Sequence, residues 1–151
     1  AAHYLAARST GRRPEYVTII PDQKLEASGH VMPGGQPKEG MITKRTIIER
    51  LFILMAGPIA EDHVYGTPPD PQNAIENSKT DNTDIQELLD GLKPPSKLSG
   101  NAVDIRKDLY DKAFKKTCKW TKKNIRSIFA LANALLDEKH IYSDGIDEIL
   151  N

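Results

Sequence analysis

The apolar residues between positions 47 and 56 constrain the fold more than any other feature of the chain. They are Ile47, Ile48, Leu51, Phe52, Leu54 and Met55. On a helix these side chains cover most of the circumference, so other elements must enclose that helix on nearly every side. Thr43 or Thr46 is expected to cap it, with Glu49 completing a capping box with Thr46. Pro58 predicts a kink or a break near Gly57, because proline removes a backbone donor.

Further helices are predicted on both sides of this one. Residues 1–10 and 83–92 predict short helices, and a long helix is predicted from Asn101 to about Lys123, or continuously beyond it. The part after Lys123 carries an amphipathic face, formed by Ile125, Ile128, Phe129, Ala132, Leu135 and Leu136. Ser143 is expected to cap a short last helix.

Two strands are predicted between the first helix and the buried one. Residues 16–20 are β-branched and aromatic and stop at Pro21, whereas residues 28–32 form a weaker strand that Pro33 closes. The predicted fold class is therefore mostly α, with a small two- or three-stranded β-sheet near the N-terminus.

Composition limits the classes of protein to which the chain can belong, but it does not identify a function. Hydrophobic residues make up 38% of the 151 residues and charged residues 28%, which suits a packed domain. The net charge is zero, but residues 61–90 hold eight acids against one base, and residues 105–126 hold nine bases against two acids. We interpret the basic segment as a solvated helix face. The single cysteine, Cys118, excludes an intrachain disulfide and a thiolate metal cluster. No apolar stretch approaches the ~18 residues of a membrane span.

The chain opens with Ala1, Ala2 and His3, in a segment that reads as a helix already under way. Zinc peptidases carry the motif H-E-x-x-H on a helix, and His3 would be its second histidine. The first histidine, a zinc ligand, and the glutamate, the general base, would then precede Ala1. Taken alone, a histidine on an alanine-rich helix is an ordinary surface or core residue.

Four separated segments, in this order, resemble the peptidase domain of the FtsH-type, ATP-dependent, membrane-anchored zinc metalloproteases. Residues 1–3 match the end of that family's zinc helix, and residues 17–33 match the strand pair that follows it. Residues 48–66 match a buried helix that runs into G-R-x-A-E and an aromatic-Gly pair. Residues 80–85 match T-G-A-x-N-D-[IL], whose Asp is the third zinc ligand. The chain departs from the pattern at Pro58, where the family has Arg, and at the prolines after position 93.

The resemblance implies a set of functional residues. His3 and Asp84 would ligate zinc, and Glu61 would either orient a ligand histidine from the second shell or be a solvated acid. A substrate peptide would add by β-augmentation to the edge strand formed by Gly29, His30, Val31 and Met32. Zinc would polarise the peptide carbonyl and activate water, with the upstream Glu as base. Because the first His and the Glu are not in the present chain, we expect it to bind zinc weakly and to be inactive.

The resemblance also implies the organisation and the partners. A single FtsH-like metallopeptidase domain is expected over residues 1–151, cut at its N-terminus inside H-E-x-x-H, with the zinc site and sheet in 1–92 and the C-terminal helices in 100–151. Protein or peptide substrates are expected, as part of ATP-dependent proteolysis, together with a homo-oligomer that is hexameric in the family. No nucleic acid and no membrane segment are expected. The parent would be membrane-associated, in a bacterium or an organelle, and this chain soluble.

Two alternatives stay open at this point. The first is a non-catalytic pseudo-peptidase, with the same fold, that acts as a protein-binding or assembly module. The residues encoded just before Ala1 discriminate it from the enzyme. The second is an unrelated helical binding domain that uses the basic face 106–126, whose signature would be salt-dependent binding to nucleic acid.

Overall fold

The computed structural model describes residues 1–24, 29–32, 43–71 and 102–151. Their helices and strands are α1 (Ala2–Ser9), β1 (Tyr16–Thr18), β2 (His30–Met32), α2 (Lys44–Tyr65), α3 (Ala102–Glu138), β3 (His140–Tyr142) and α4 (Ser143–Leu150). The chain forms two compact units. We call Ala1–Gly40 with Lys123–Asn151 the sheet unit, and Met41–Lys122 the helical unit. Three of the sequence predictions lie outside the described residues. They are the helix 83–92, the zinc ligand Asp84 and the boundary between 92 and 100.

The predicted fold class, mostly helical with a small sheet near the N-terminus, is confirmed. The sheet has three antiparallel strands in the order β2-β1-β3. Its third strand comes from near the C-terminus, where the sequence analysis predicts no strand. The zinc-peptidase part of the fold prediction stays a prediction.

Helix α1 is short, and five of its eight residues are buried. Its buried side chains are Ala2, Tyr4, Leu5, Ala6 and Ala7. Gly11, at a φ of +84°, ends the segment as predicted, since glycine adopts this left-handed conformation without a Cβ penalty. An ion pair between Arg8 and Asp147 joins α1 to α4 within the sheet unit.

The central strand β1 is held on both sides and at one end. Val17 pairs with Val31 on β2 and with Ile141 on β3. Beyond Thr18, the backbone N–H of Ile19 donates to the carbonyl oxygen of Lys139 at 2.9 Å. Strand β1 ends at Thr18, two residues earlier than predicted.

Lys139 turns the chain from α3 into β3. Its φ is +65°, which is left-handed and costly for a residue with a Cβ. Its carbonyl oxygen also accepts a hydrogen bond from the Thr18 hydroxyl at 3.0 Å. This residue therefore ties the end of α3 to the end of β1.

In the helical unit, α2 packs against the first half of α3. The core consists of Ile47, Leu51, Met55, Ile59, Leu109, Tyr110 and Ala113. The prediction of a central, buried helix at 47–56 is confirmed. The aromatic rings of Phe52 and Trp120 meet edge to face at 5.3 Å between centroids, so Trp120 is a packing residue.

Two details of α2 differ from the sequence prediction. Thr43 is the N-cap and forms a reciprocal capping box with Thr46, whereas Glu49 pairs with Arg45 one turn away. Pro58 lies inside a helix that runs unbroken from Lys44 to Tyr65. Of the predicted kink or break, the break does not occur, because burial of the surrounding helix on several sides outweighs one lost backbone hydrogen bond.

Helix α3 is continuous through Lys123, which decides the alternative that the sequence left open. Its C-terminal part buries Ile128, Leu131 and Leu135, whereas Phe129 and Leu136 are exposed. The apolar face is therefore narrower than predicted. Ser143 is the first residue of α4 and forms no side-chain cap, since Tyr142 occupies the N-cap position. No helix among the described residues is long and apolar enough to cross a membrane.

Candidate functional site

The predicted edge strand lies at one end of the described sheet. Strand β2 contains His30, Val31 and Met32, and it ends the strand order β2-β1-β3. Within the described part of the chain, no strand pairs with its outer side. Strand β2 is therefore the edge strand of the described sheet, and β-augmentation adds a strand to an edge of this kind.

Gly29 sets the close approach of β2 to β1. A Cβ built on Gly29 would lie 2.7 Å from the carbonyl oxygen of Thr18 and 3.0 Å from the Cα of Ile19. Both neighbours are backbone atoms, so neither can rotate away. Only glycine therefore fits directly before β2 at this spacing.

A cluster of aromatic rings covers one face of the sheet. The Tyr16 hydroxyl and the Nε2 atom of His30 are 3.1 Å apart, at hydrogen-bond distance. The Tyr16 ring lies 4.6 Å from the His140 ring and 6.1 Å from the Tyr142 ring, centroid to centroid. Thr18 sits between His30 and His140 in the strand register. Residues from all three strands thus meet around Tyr16.

A depression of about 500 Å³ opens over this cluster, on the Thr18 side. It is lined by Tyr16, Thr18, Ile20, Pro21, Asp22, Gln23, Lys24, His30 and His140. The Asp22 Oδ1 atom already accepts from the backbone N–H of Lys24 at 2.8 Å. The Nδ1 atom of His30 and the Nε2 atom of His140 are buried and have no hydrogen-bond partner among the described residues.

The predicted zinc ligands are not brought together by the described residues. His3 lies half-buried on α1, whereas Asp84 falls outside them. Within the described ranges, no three His, Cys, Asp or Glu side chains form a group that could hold a metal ion. One imidazole does not hold a catalytic zinc, so these residues do not by themselves fit the metal.

Glu61, the predicted second-shell acid, is exposed on α2 in the helical unit. The next residue is the more unusual acid. Asp62 is 5% exposed, and its Oδ2 atom has no hydrogen-bond partner within the described part of the helical unit. Burial raises the pKa of Asp62, and the nearby Asp70 carboxyl adds to this effect. Asp62 is a candidate functional residue that the sequence analysis did not single out, since nothing in its spacing separates it from Glu61.

Cys118 does not behave as a reactive thiol. It packs half-buried against the core of the helical unit, and burial raises its pKa, with a further contribution from Asp62. A raised pKa keeps the thiol protonated and poorly nucleophilic. Cys118 is therefore a packing residue.

The basic segment lies along α3 as a solvated face, as interpreted from the sequence. Its exposed residues are Lys107, Lys112, Lys115, Lys116, Lys119, Lys122, Lys123 and Arg126. Lys112 pairs with Asp108 at 2.7 Å, and Lys116 lies over the Phe52 ring at 4.8 Å from its centroid. This surface carries no stacked exposed ring, since Trp120 and Phe114 pack inward.

Tyr16 and His140 are the other residues that sequence reasoning missed. The alternation of ring and β-branched side chains in residues 140–142 was the available signal, because it is typical of a strand. Their meeting with His30 depends on a pairing between segments 121 residues apart, which periodicity does not reveal. The chain matches no protein-family model, and no curated protein matches it.

Proposed function

We propose that this chain belongs to an FtsH-type zinc-peptidase domain, which holds an extended substrate peptide on the outer edge of β2. The observation that carries the proposal is the order of elements in the sheet unit. Helix α1 with His3 is followed by the central strand β1 and then by the edge strand β2. The resemblance predicts this order, with a zinc helix followed by a strand pair whose second member borders the cleft.

The edge of β2 aligns a peptide but binds it weakly by itself. Three strand residues offer two or three main-chain hydrogen bonds, each with a net contribution of about 1 kcal/mol. A total near 3 kcal/mol corresponds to a dissociation constant above ~1 mM. Side-chain contacts and a metal must therefore supply most of the affinity for a substrate.

Among the described residues, His3 alone represents the proposed metal ligands. The resemblance requires His and Glu at the two positions before Ala1, and Asp84 as third ligand. When bound, zinc would supply Lewis acidity and an activated water. The role that we assign to the described residues is to fix the main chain of the substrate against β2.

Proteolysis by the parent protein, including the residues encoded before Ala1, tests the proposal. We expect cleavage of unfolded casein that stops on chelation and returns with added zinc. His3→Ala should abolish cleavage, and His63→Ala, a matched change at a half-buried histidine outside the proposed ligands, should leave it unchanged. Undiminished cleavage by His3→Ala would contradict the proposal. Peptide binding without any cleavage would support the non-catalytic alternative instead.

A further inference from the structure

Within the described ranges, one face of the sheet is partly exposed beside the edge strand, and we call it the open face. The side chains of Tyr16, Thr18 and His30 share this face, because directly paired residues point to the same side of a sheet and alternate residues repeat it. On the opposite face, Val17 and Ile141 are each only 3% exposed. A peptide strand added to β2 would thus present every second side chain to the open face, and the depression of about 500 Å³ lies there.

The depression is built mainly of rings and apolar atoms. Tyr16, His30 and His140 supply ring surfaces, and Ile20, which is 50% exposed, stands in its wall beside Pro21. We propose that this depression is a specificity pocket for an aromatic side chain of the peptide bound along β2. This inference rests on the edge-strand part of the proposed function and names the substrate class: extended peptides with an aromatic residue at the position facing His30.

An acidic side chain is the main competitor, since Lys24 and the imidazoles could donate to it. Lys24 and Asp22 both border the depression, so their opposite charges offset one another. An exposed ion pair changes affinity by about twofold, because solvent and salt screen it. A ring packed against rings gains about two- to tenfold, and covering Ile20 adds to that. The aromatic side chain is therefore favoured.

Binding of matched peptides to the full 151-residue chain tests the pocket. The probes are end-blocked hexapeptides that are identical except for Phe, Ala or Glu at one central position. Because the edge of β2 alone binds with a dissociation constant above ~1 mM, affinities are read from NMR chemical-shift titrations with millimolar peptide, which follow binding this weak. The Phe peptide should bind about fivefold more tightly than the Ala peptide, with Glu within about twofold of Ala. Ile20→Ser and His30→Ala should each reduce the preference for Phe. Leu136→Ser, a matched change at an exposed apolar residue outside the depression, should not.

Equal affinities for Phe and Ala, tightest binding of Glu, or no binding of any peptide would each overturn the inference. Neither zinc nor cleavage enters this readout. A preference for Phe in a protein that binds no zinc would leave the pocket standing and would contradict only the peptidase. Zinc-dependent cleavage without a preference for Phe would support the peptidase and contradict the pocket.

Discussion

Substituting Gly29 with alanine should detach the start of the edge strand. The added Cβ would lie 2.7 Å from the Thr18 carbonyl oxygen, whereas real Cβ atoms essentially never come closer than 3.0 Å to another heavy atom. The obstructing atoms belong to the backbone of β1, so relief requires β2 to move outward. Because β2 pairs over only three residues, a shift at the Thr18–His30 pair disturbs a third of its register.

The expected cost follows from overpacking, which typically destabilises a protein by about 1–3 kcal/mol. For a chain of this size, that lowers the midpoint of thermal unfolding by roughly 3–10 °C. Gly145→Ala is the matched control, because its Cβ would meet only a side-chain methyl group of Ile141 at 3.3 Å, within helix α4. Alanine is also the better helix former, and this gain offsets the contact with Ile141. The control should therefore change the free energy of unfolding little.

Thermal unfolding followed by circular dichroism measures the cost, and amide hydrogen exchange at Val17 and Val31 locates it. Gly29→Ala should accelerate exchange at these amides and leave exchange in α2 unchanged. If Gly29→Ala unfolded at the same temperature as the wild type, with exchange unaltered, the close approach of β2 to β1 would be refuted.

Three further predictions concern stability. Leu51→Ala should lower the free energy of unfolding by about 2–5 kcal/mol, since Leu51 is fully buried, whereas Leu136→Ala should change it by less than about 0.5 kcal/mol; urea titration of both variants checks this. Asp62→Asn should stabilise the protein at pH 7, because the raised folded-state pKa means that the carboxylate form costs stability as the pH rises through it. Urea titrations from pH 3 to 7 should show this gain shrinking towards acid, and a gain that does not vary with pH would contradict it. Lys139→Gly should raise the free energy of unfolding by about 0.5–1 kcal/mol, by relieving the left-handed backbone, and a loss of stability would oppose that reading.

Most of the described fold could be predicted from local patterns in the sequence. The all-round apolar surface near Leu51 predicted a central helix, and the β-branched segment from Tyr16 predicted a strand. Gly11 predicted the end of the first helix. Each of these depends on neighbours within a few residues, where periodicity and turn chemistry act directly.

The failures depended on interactions that sequence spacing does not encode. Pro58 was expected to kink or break α2, but packing around that helix keeps it unbroken. Strand β3 was missed because its pairing partner, β1, lies more than a hundred residues away, and the pocket was missed with it. The edge strand was predicted through a resemblance. Its position at the end of the strand order is now seen, whereas its use by a peptide remains a proposal.

Zinc content tests the central claim most directly. Elemental analysis should be run on the protein extended by the residues encoded before Ala1, alongside His3→Ala and Asp84→Asn versions of it. If the chain belongs to a zinc-peptidase domain, we expect about one zinc per extended chain and a large loss of zinc in both variants, because a catalytic zinc needs three protein ligands. Absence of zinc from the extended protein, or full retention of zinc in both variants, would contradict it.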